Sequence, residues 1–429
     1  MKNIINIQIL LLALNLQLFS GENANGTQVT TQSSLSPEMK TFYDKHLLDN
    51  AKPDLVHHQF GQKRPIPKRN GKTIEFRKFQ TLPKALTPLT EGVTPSKGTL
   101  TVTNITATVS QYGYYVELSD VLEMTAIDNV IVETTELIGN QGGLTMDTVV
   151  RNEINSGTSV VYAPKINPST GAETIVRSRG ALDTTCVLTG KLVAKIAAML
   201  KADNVPKIDG DYVCILHPYS HYELTRDPEW LEAHKYTDAE SIYEGEIGKL
   251  HGVRFVESTE AQIFAGADLA SDSRTLTVNL AAGYSGAITS IAFDGGTVAA
   301  NALVGRKINI NGVVATITAN TASALTFAST NFGSIADNAV IYPGEGGAEG
   351  AAVFSCLFLG KDAYGVVDVE GGNMQVIVKP KGSGGTTDPL DQRSTIGWKA
   401  MEVAKILYPE RIIRLECCSK DFSAGATAN

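Results

Sequence analysis

Hydrophobic and polar positions change their period several times along the chain, and each change marks an element. Between residues 37 and 50, Met39, Phe42, Tyr43, Leu47 and Leu48 recur at helical spacing and predict a short helix. Thr73-Ile74-Glu75-Phe76-Arg77-Lys78-Phe79 alternates only partly, as a strand with two wet faces would. Thr- and Val-rich alternation follows over 100–118, and Asn70-Gly71 is a tight-turn signal with extended sequence on both sides. These segments predict long antiparallel ribbons with little core of their own, which need another surface to rest on. Thr125-Ala126-Ile127-Asp128 then opens a helix with a capping-box pattern. Its broad apolar stripe runs through Val130, Ile138, Leu144, Val149 and Ile154 and predicts the longest helix of the protein, over 125–157. Gly142-Gly143 costs about 1 kcal/mol per residue relative to Ala, so a kink or a close contact is expected there.

Residues 181–267 read as mixed α and β, with an amphipathic helix over 189–203, a buried strand over 212–217, a helix from Pro218 and a strand over 252–256. The character changes over 271–349, which is low in charge and rich in Ala, Thr, Gly and Val. Short β runs and an Asn311-Gly312 hairpin turn predict a small all-β module inserted into the mixed domain. The mixed pattern resumes over 354–360, 364–369 and 375–378. A final pair of elements covers 398–408 and 411–417, and 419–429 reads as a frayed tail.

Composition narrows the function. The chain has 429 residues, of which 43% are hydrophobic and 19% charged, enough for two or three real cores. A formal charge of −8 argues against a body that condenses nucleic acid but permits a container around it. Charge is uneven, however: residues 52–84 hold nine basic side chains against Asp54 and Glu75. Cys186, Cys214, Cys356, Cys417 and Cys418 are odd in number and widely spaced, which fits buried thiols better than a disulfide framework. Lys2, the apolar run over 4–19 and Ser20-Gly21 have the outline of a secretory signal. Asn6, Gln8, Asn15 and Gln17 interrupt it, leaving a clean run shorter than the roughly 7–15 residues expected of a signal core. The expectation is an amphipathic arm that docks on protein, followed by a polar linker over 21–36, with no membrane span.

Candidate chemistry is sparse. Phosphate loop, dinucleotide fingerprint, HExxH, EF-hand and GxSxG patterns are all missing. His57-His58 are adjacent, so their side chains should diverge. His217 and His221 have the spacing of a zinc pair on a helix, but Pro218 separates them and no Glu completes the site. Cys417-Cys418 has no second cluster of ligands beside it. Catalytic residues, cofactor and metal are therefore all expected to be none, and the chain leans toward assembly.

Several segments together carry a resemblance. They are Asn15-Leu16-Gln17-Leu18-Phe19, the run over 68–79, Leu89-Thr90-Glu91-Gly92-Val93-Thr94-Pro95 and Val109-Ser110-Gln111-Tyr112-Gly113. Further along come Asp227-Pro228-Glu229-Trp230, the run over 245–255, Gly360-Lys361-Asp362-Ala363-Tyr364-Gly365 and the run over 379–398. With these segments the chain resembles the major capsid proteins of tailed phages common in Gram-positive bacteria and their prophages. The resemblance spans nearly the whole chain apart from 271–349. It implies an α+β, Hong Kong 97-type capsid fold with an N-terminal arm (1–50) and an extended loop (51–118). A peripheral domain (119–182) would contain the spine helix. An axial domain (183–267 with 350–397) would be interrupted by an immunoglobulin-like β-sandwich (268–349), and 398–429 would return to the peripheral domain.

The implied function is a shell subunit, not an enzyme. It would form the pentamers and hexamers of an icosahedral virion that encloses double-stranded DNA, assembled in the host cytoplasm. Scaffold, portal and decoration proteins are its possible partners. The alternatives are an encapsulin-like compartment or a secreted surface adhesin. For the contact between subunits, the expectation is a basic ribbon (Lys68, Arg69, Lys72, Arg77, Lys78) lying across Glu133 and Glu136 of a neighbour's spine helix. Exposed ion pairs are worth about 0–1 kcal/mol each, so they would set register more than strength.

Overall fold

A computed structural model describes residues 56–429 except 68, 70, 80–81, 83, 87, 90, 95–96, 126–129, 235–247, 273, 369–373 and 384–387. The expected arm and its short helix, Lys68, and most of the capping box at 125–128 lie outside the described residues.

The first elements among the described residues are a single helical turn, α1 (Val56–Gln59), and a two-residue strand, β1 (Gln62–Lys63). The ribbon follows as β2 (Thr73–Phe79) and β3 (Val102–Thr108), antiparallel from the pair Thr73–Thr108 at the base to Phe79–Val102 at the far end. The Asn70-Gly71 signal therefore sits before the ribbon, beside Arg69 (φ 70°) and Gly71 (φ 84°), and the ribbon turns through 80–101 instead. β4 (Ser110–Ser119) leads into α2 (Asp120–Thr125) and the long helix α3 (Val130–Asn155). Thr125 lies in α2, its hydroxyl donating to the Val121 carbonyl at 2.7 Å.

Short strands β5 (Val160–Tyr162), β6 (Lys165–Ile166) and β7 (Glu173–Thr174) precede α4 (Gly190–Ala202), β8 (Tyr212–Leu216), α5 (Pro218–Thr225) and α6 (Pro228–His234). β9 (Lys249–Leu250), β10 (Val253–Glu257) and β11 (Ile263–Phe264) complete that half. The inserted module contributes β12 (Leu276–Val278), β13 (Ala287–Asp294), β14 (Lys307–Ile310), β15 (Val313–Asn320), β16 (Ala324–Asn331) and β17 (Val340–Pro343). The last strands are β18 (Val353–Leu359), β19 (Tyr364–Asp368), β20 (Gln375–Lys379), β21 (Arg393–Ile406) and β22 (Ile412–Cys417).

Two sheets organise the body. One has the order β5-β22-β18-β8-β10-β9, with β11 on β18; the other is β1-β19-β21-β20, with β4 also along β21. β8 is buried at every position, and its alternation divides two cores. Tyr212, Cys214 and Leu216 face the core that holds Leu192, Val193, Ile196 and Leu200 of α4. Val213 and Ile215 face the opposite core, with Val150 and Ile154 of α3 and Tyr364 of β19. At roughly 1.5–3 kcal/mol per buried aliphatic side chain, this central strand holds both layers. β21 runs through the expected boundary at 397/398, and its partners are β4, β19 and β20, not β22.

α3 bridges the layers. Ile138 and Met146 pack on Leu118, Ile396 and Trp398, while Val150 and Ile154 reach the core beside β8. The glycine pair is explained by contact: a Cβ on Gly142 would meet the Met374 sulfur at 2.6 Å and the Trp398 ring at 3.1 Å. Trp398 Nε1–H donates to Gln141 Oε1 one residue away, at 2.5 Å.

The inserted module is all-β, but its strands close as a barrel, β12-β13-β16-β15-β14-β17, where an immunoglobulin-like sandwich was expected. Full closure removes both sheet edges. Asn311 (φ 53°) and Gly312 (φ 78°) form the anticipated hairpin turn between β14 and β15. The barrel is seated on the body through Asn309, whose Nδ2 donates to the carbonyls of Gly180 and Gly347, each at 2.8 Å. The tail, expected to be frayed, is docked. Phe422 stacks on Tyr219 at 4.2 Å, the Ser423 hydroxyl donates to the Ala352 carbonyl at 2.7 Å, and Asn429 bonds to Thr259, Ala261 and Ile263. Ser423 and Asn429 satisfy backbone groups the sheet leaves open and Phe422 adds ring stacking, roles that local composition does not reveal.

Candidate assembly interface

The ribbon has two ends with different physics. At its base the alternation of β2 turns Ile74, Phe76 and Lys78 inward and Thr73, Glu75, Arg77 and Phe79 outward. Phe76 and Ala107 join Ile66, Val109, Val367 and Leu407 in a small buried cluster, with Ile74 and Ile105 packed against it. The base thus has a core, borrowed from β19 and the segment after β21, where little was expected. The far end is different. Phe79, Leu82, Leu86, Leu89, Val93, Leu100 and Val102 are all exposed, Leu86 by 82% and Leu89 by 78%. Such a run of exposed large apolar side chains marks a contact surface.

The basic residues divide in the same way. Lys78 is spoken for within the subunit: its Nζ bonds to both oxygens of Glu410, at 2.8 and 3.0 Å, and lies 4.7 Å from the Tyr408 ring centre. Lys78 in turn holds the Glu410 carboxyl below the usual range despite partial burial. The Arg411 guanidinium lies 3.9 Å from the Tyr408 ring centre and donates to the Lys361 carbonyl. Arg64, Lys78, Tyr408 and Arg411 line a cavity of about 210 Å³ under the ribbon. These partners of the ribbon were missed in the sequence because 408–411 is some 300 residues away, with no motif to link it to Lys78. Arg69, Lys72 and Arg77 are exposed, and among the described residues no ion pair engages them. On α3, Glu136 is exposed and Glu133 half-buried, also without an ion pair among the described residues. Within one subunit the structure does not bring the basic ribbon to these two acids.

A second apolar surface lies on the sheet that carries α3. Tyr114, Tyr115, Ile377, Trp398 and the two glycines Gly113 and Gly397 line an open groove of about 430 Å³. A Cβ on Gly397 would strike Tyr115 at 2.8 Å, so the glycine is required by close packing of β4 on β21.

The other candidate chemistry is structural. His57 and His58 diverge as expected: His57 Nδ1 bonds to Asp147 at 2.6 Å, while His58 Nε2 lies 3.5 Å from Glu402. His217 Nδ1 accepts from the Tyr219 N–H at 3.2 Å, and burial pulls its pKa down to about 4. His221 faces Glu257 at 3.4 Å instead of joining His217. All five cysteines are buried and free, and burial pushes the Cys186 thiol up to about 11, which leaves it unreactive. Among the described residues no group of three or more His, Cys, Asp or Glu side chains is placed to hold a metal. Nor, among them, is any helix long and apolar enough to cross a membrane.

A chain with two exposed apolar surfaces, unpaired charge on its ribbon and no assembled reactive cluster among its described residues is built like a subunit of a larger assembly. Residues 103–284, which take in β3, α3 and the first part of the barrel, match the family described as phage capsid protein. In the solved structures, the capsid of the cyanophage P-SCSP1u is similar at 14% identity, with a TM-score of 0.52 over 93% of this chain and 99% of that one. The capsid asymmetric unit of cyanophage Pam1 is similar at 13% identity, with a TM-score of 0.51 over 84% of this chain and 87% of that one. No curated protein sequence matches the chain. The chain shares the mixed α/β fold of these phage capsids, and residues 103–284 carry the match to the phage capsid protein family. Neither the adhesin nor the encapsulin-like alternative has comparable support.

Proposed function

We propose that the chain has the Hong Kong 97-type fold and self-assembles into pentamers and hexamers of an icosahedral shell around double-stranded DNA. In this reading 1–50 is the arm, 51–118 the extended loop, 119–182 the peripheral domain around α3, and 183–267 with 350–397 the axial domain. The barrel is its insertion, and 398–429 returns to the peripheral domain. Scaffold, portal and decoration proteins are its partners, and assembly takes place in the host cytoplasm.

The ribbon is the observation that carries the reading. Its far end exposes seven large apolar side chains that its own subunit leaves uncovered, and burying them at about 25 cal/mol per Å² favours a neighbour's surface. Repeated around closed rings, modest contacts sum to a stable shell. Arg69, Lys72 and Arg77, with Lys68, then lie across Glu133 and Glu136 of the adjacent subunit, while Lys78 stays with Glu410 and fixes the base. Electron microscopy of the expressed chain is the test: closed icosahedral particles are expected, and a chain that stays a folded monomer at high concentration would overturn the proposal.

A further inference from the structure

The base of the ribbon is tied to α3 through buried ionisable groups. The Asp147 carboxylate accepts from the backbone N–H of His57 at 2.8 Å and of His58 at 3.3 Å, and bonds to His57 Nδ1 at 2.6 Å. One side chain of α3 thereby caps α1. From the other side the Tyr364 hydroxyl donates to the His57 carbonyl. Next to this knot, on β21, Glu402 is only 5% exposed. Its Oε1 lies 3.5 Å from His58 Nε2 but makes no hydrogen bond among the described residues, and His57 Nε2 is likewise without a partner. Among the described residues, the charged and titratable groups that act on Glu402 are His58 of α1, Lys63 of β1, Asp147 of α3 and Asp368 of β19.

We propose that this knot is a proton-operated latch: protonated Glu402 lets α1 and β1 stay seated against α3 and β19, and loss of that proton to solvent releases them and frees the base of the ribbon. A neutral carboxyl is tolerated in such a site, whereas a buried anion without hydrogen bonds is costly. Burial first, then Asp368 and Asp147, push the Glu402 carboxyl up to about 8, with only Lys63 working the other way. His58 cannot readily take the charge, because burial and Lys63 hold its pKa down. Hydrating the new anion requires moving its cover, which is a short segment. α1 is a single turn held by Asp147 and Tyr364, and the chain after it pairs with β19 at Gln62 and Lys63 and through the Arg64 and Ile66 amides, which donate to the Val366 and Asp368 carbonyls at 3.1 and 2.8 Å. Local opening of such a segment leaves the sheets folded. The latch is a property of the subunit; its consequence for a shell, a ribbon that loosens in alkali, rests on the proposed function.

Hydrogen–deuterium exchange of the full chain between about pH 6 and 9.5, with each rate divided by the intrinsic rate at that pH, tests the latch. Protection of amides in 56–66 should fall roughly tenfold per pH unit and level off near pH 8, while barrel amides hold constant. Glu402→Gln should flatten the profile. Asp368→Asn, which removes a repelling acid, should move the levelling-off point to lower pH and decides the matter if Glu402→Gln fails to fold. A flat wild-type profile, or one that Glu402→Gln leaves as steep, overturns the latch; so does an unmoved levelling-off point in Asp368→Asn where the Gln variant does not fold. Normal particles together with a flat profile would sink the latch and leave the shell reading standing.

Discussion

The ribbon and the barrel are both antiparallel β structures that leave the main body, yet they solve the edge problem in opposite ways. The barrel joins β12 to β17 through six strands and encloses Leu276, Ile291, Ile308, Leu325, Phe327 and Ile341 in a core of its own. The ribbon has two strands, a core only at its base, and apolar side chains in solvent along its far end. A two-stranded ribbon cannot enclose anything, so its side chains are satisfied by another surface or not at all. Closure makes the insertion self-sufficient, and its lack makes the ribbon a connector.

Mutations should separate the two regions. The largest effect is expected in the barrel, where Leu325 is fully buried. Leu325→Ala should cost about 3–5 kcal/mol of barrel stability, read by thermal denaturation, and an equal loss of stability from a ribbon-tip substitution would break the comparison.

The next effect is pH-dependent and confined to the ribbon base. Glu402 binds its proton more tightly in the folded chain, with a value of about 8 against an ordinary 4.5. Its contribution to stability is therefore complete below about pH 4.5 and is lost as pH rises through 8. At about 1.4 kcal/mol per pH unit the loss is up to roughly 5 kcal/mol. Glu402→Gln should leave the melting temperature of the first transition nearly unchanged in acid and raise it in alkali, with the barrel transition unaffected at both.

Smaller effects sharpen the picture further. Arg77→Glu with Lys72→Glu should reduce particle yield several-fold and leave subunit melting within about 0.5 kcal/mol of wild type, as measured by sedimentation and calorimetry. Lys78→Ala removes an exposed pair with Glu410 and should cost no more than about 1 kcal/mol. Smallest for the subunit is Leu86→Ser, within about 0.5 kcal/mol because the side chain is almost fully exposed, although particle yield should fall; unchanged yield would mean that the ribbon tip is not a contact.

How much was legible in advance follows from the range of the forces involved. The apolar stripe from Val130 to Ile154, the all-buried Tyr212–Leu216 run and the Asn311-Gly312 turn are local patterns, and each gave the element it predicted. The ends of elements were less readable. Asn70-Gly71 looked like a hairpin tip and precedes one, because neighbours far along the chain decide which turn is used.

Amino-acid order alone thus determined the period of each segment, the presence of an inserted all-β module and the lack of a recognisable catalytic motif, since these depend on residues a few positions apart. Only the tertiary structure decided that the module closes as a barrel, that the tail docks, that Lys78 pairs with Glu410, and that His57, Asp147, Tyr364 and Glu402 share one buried site. Burial and charge pairing act through space between residues up to hundreds of positions apart, and no periodicity along the chain records which of them will meet.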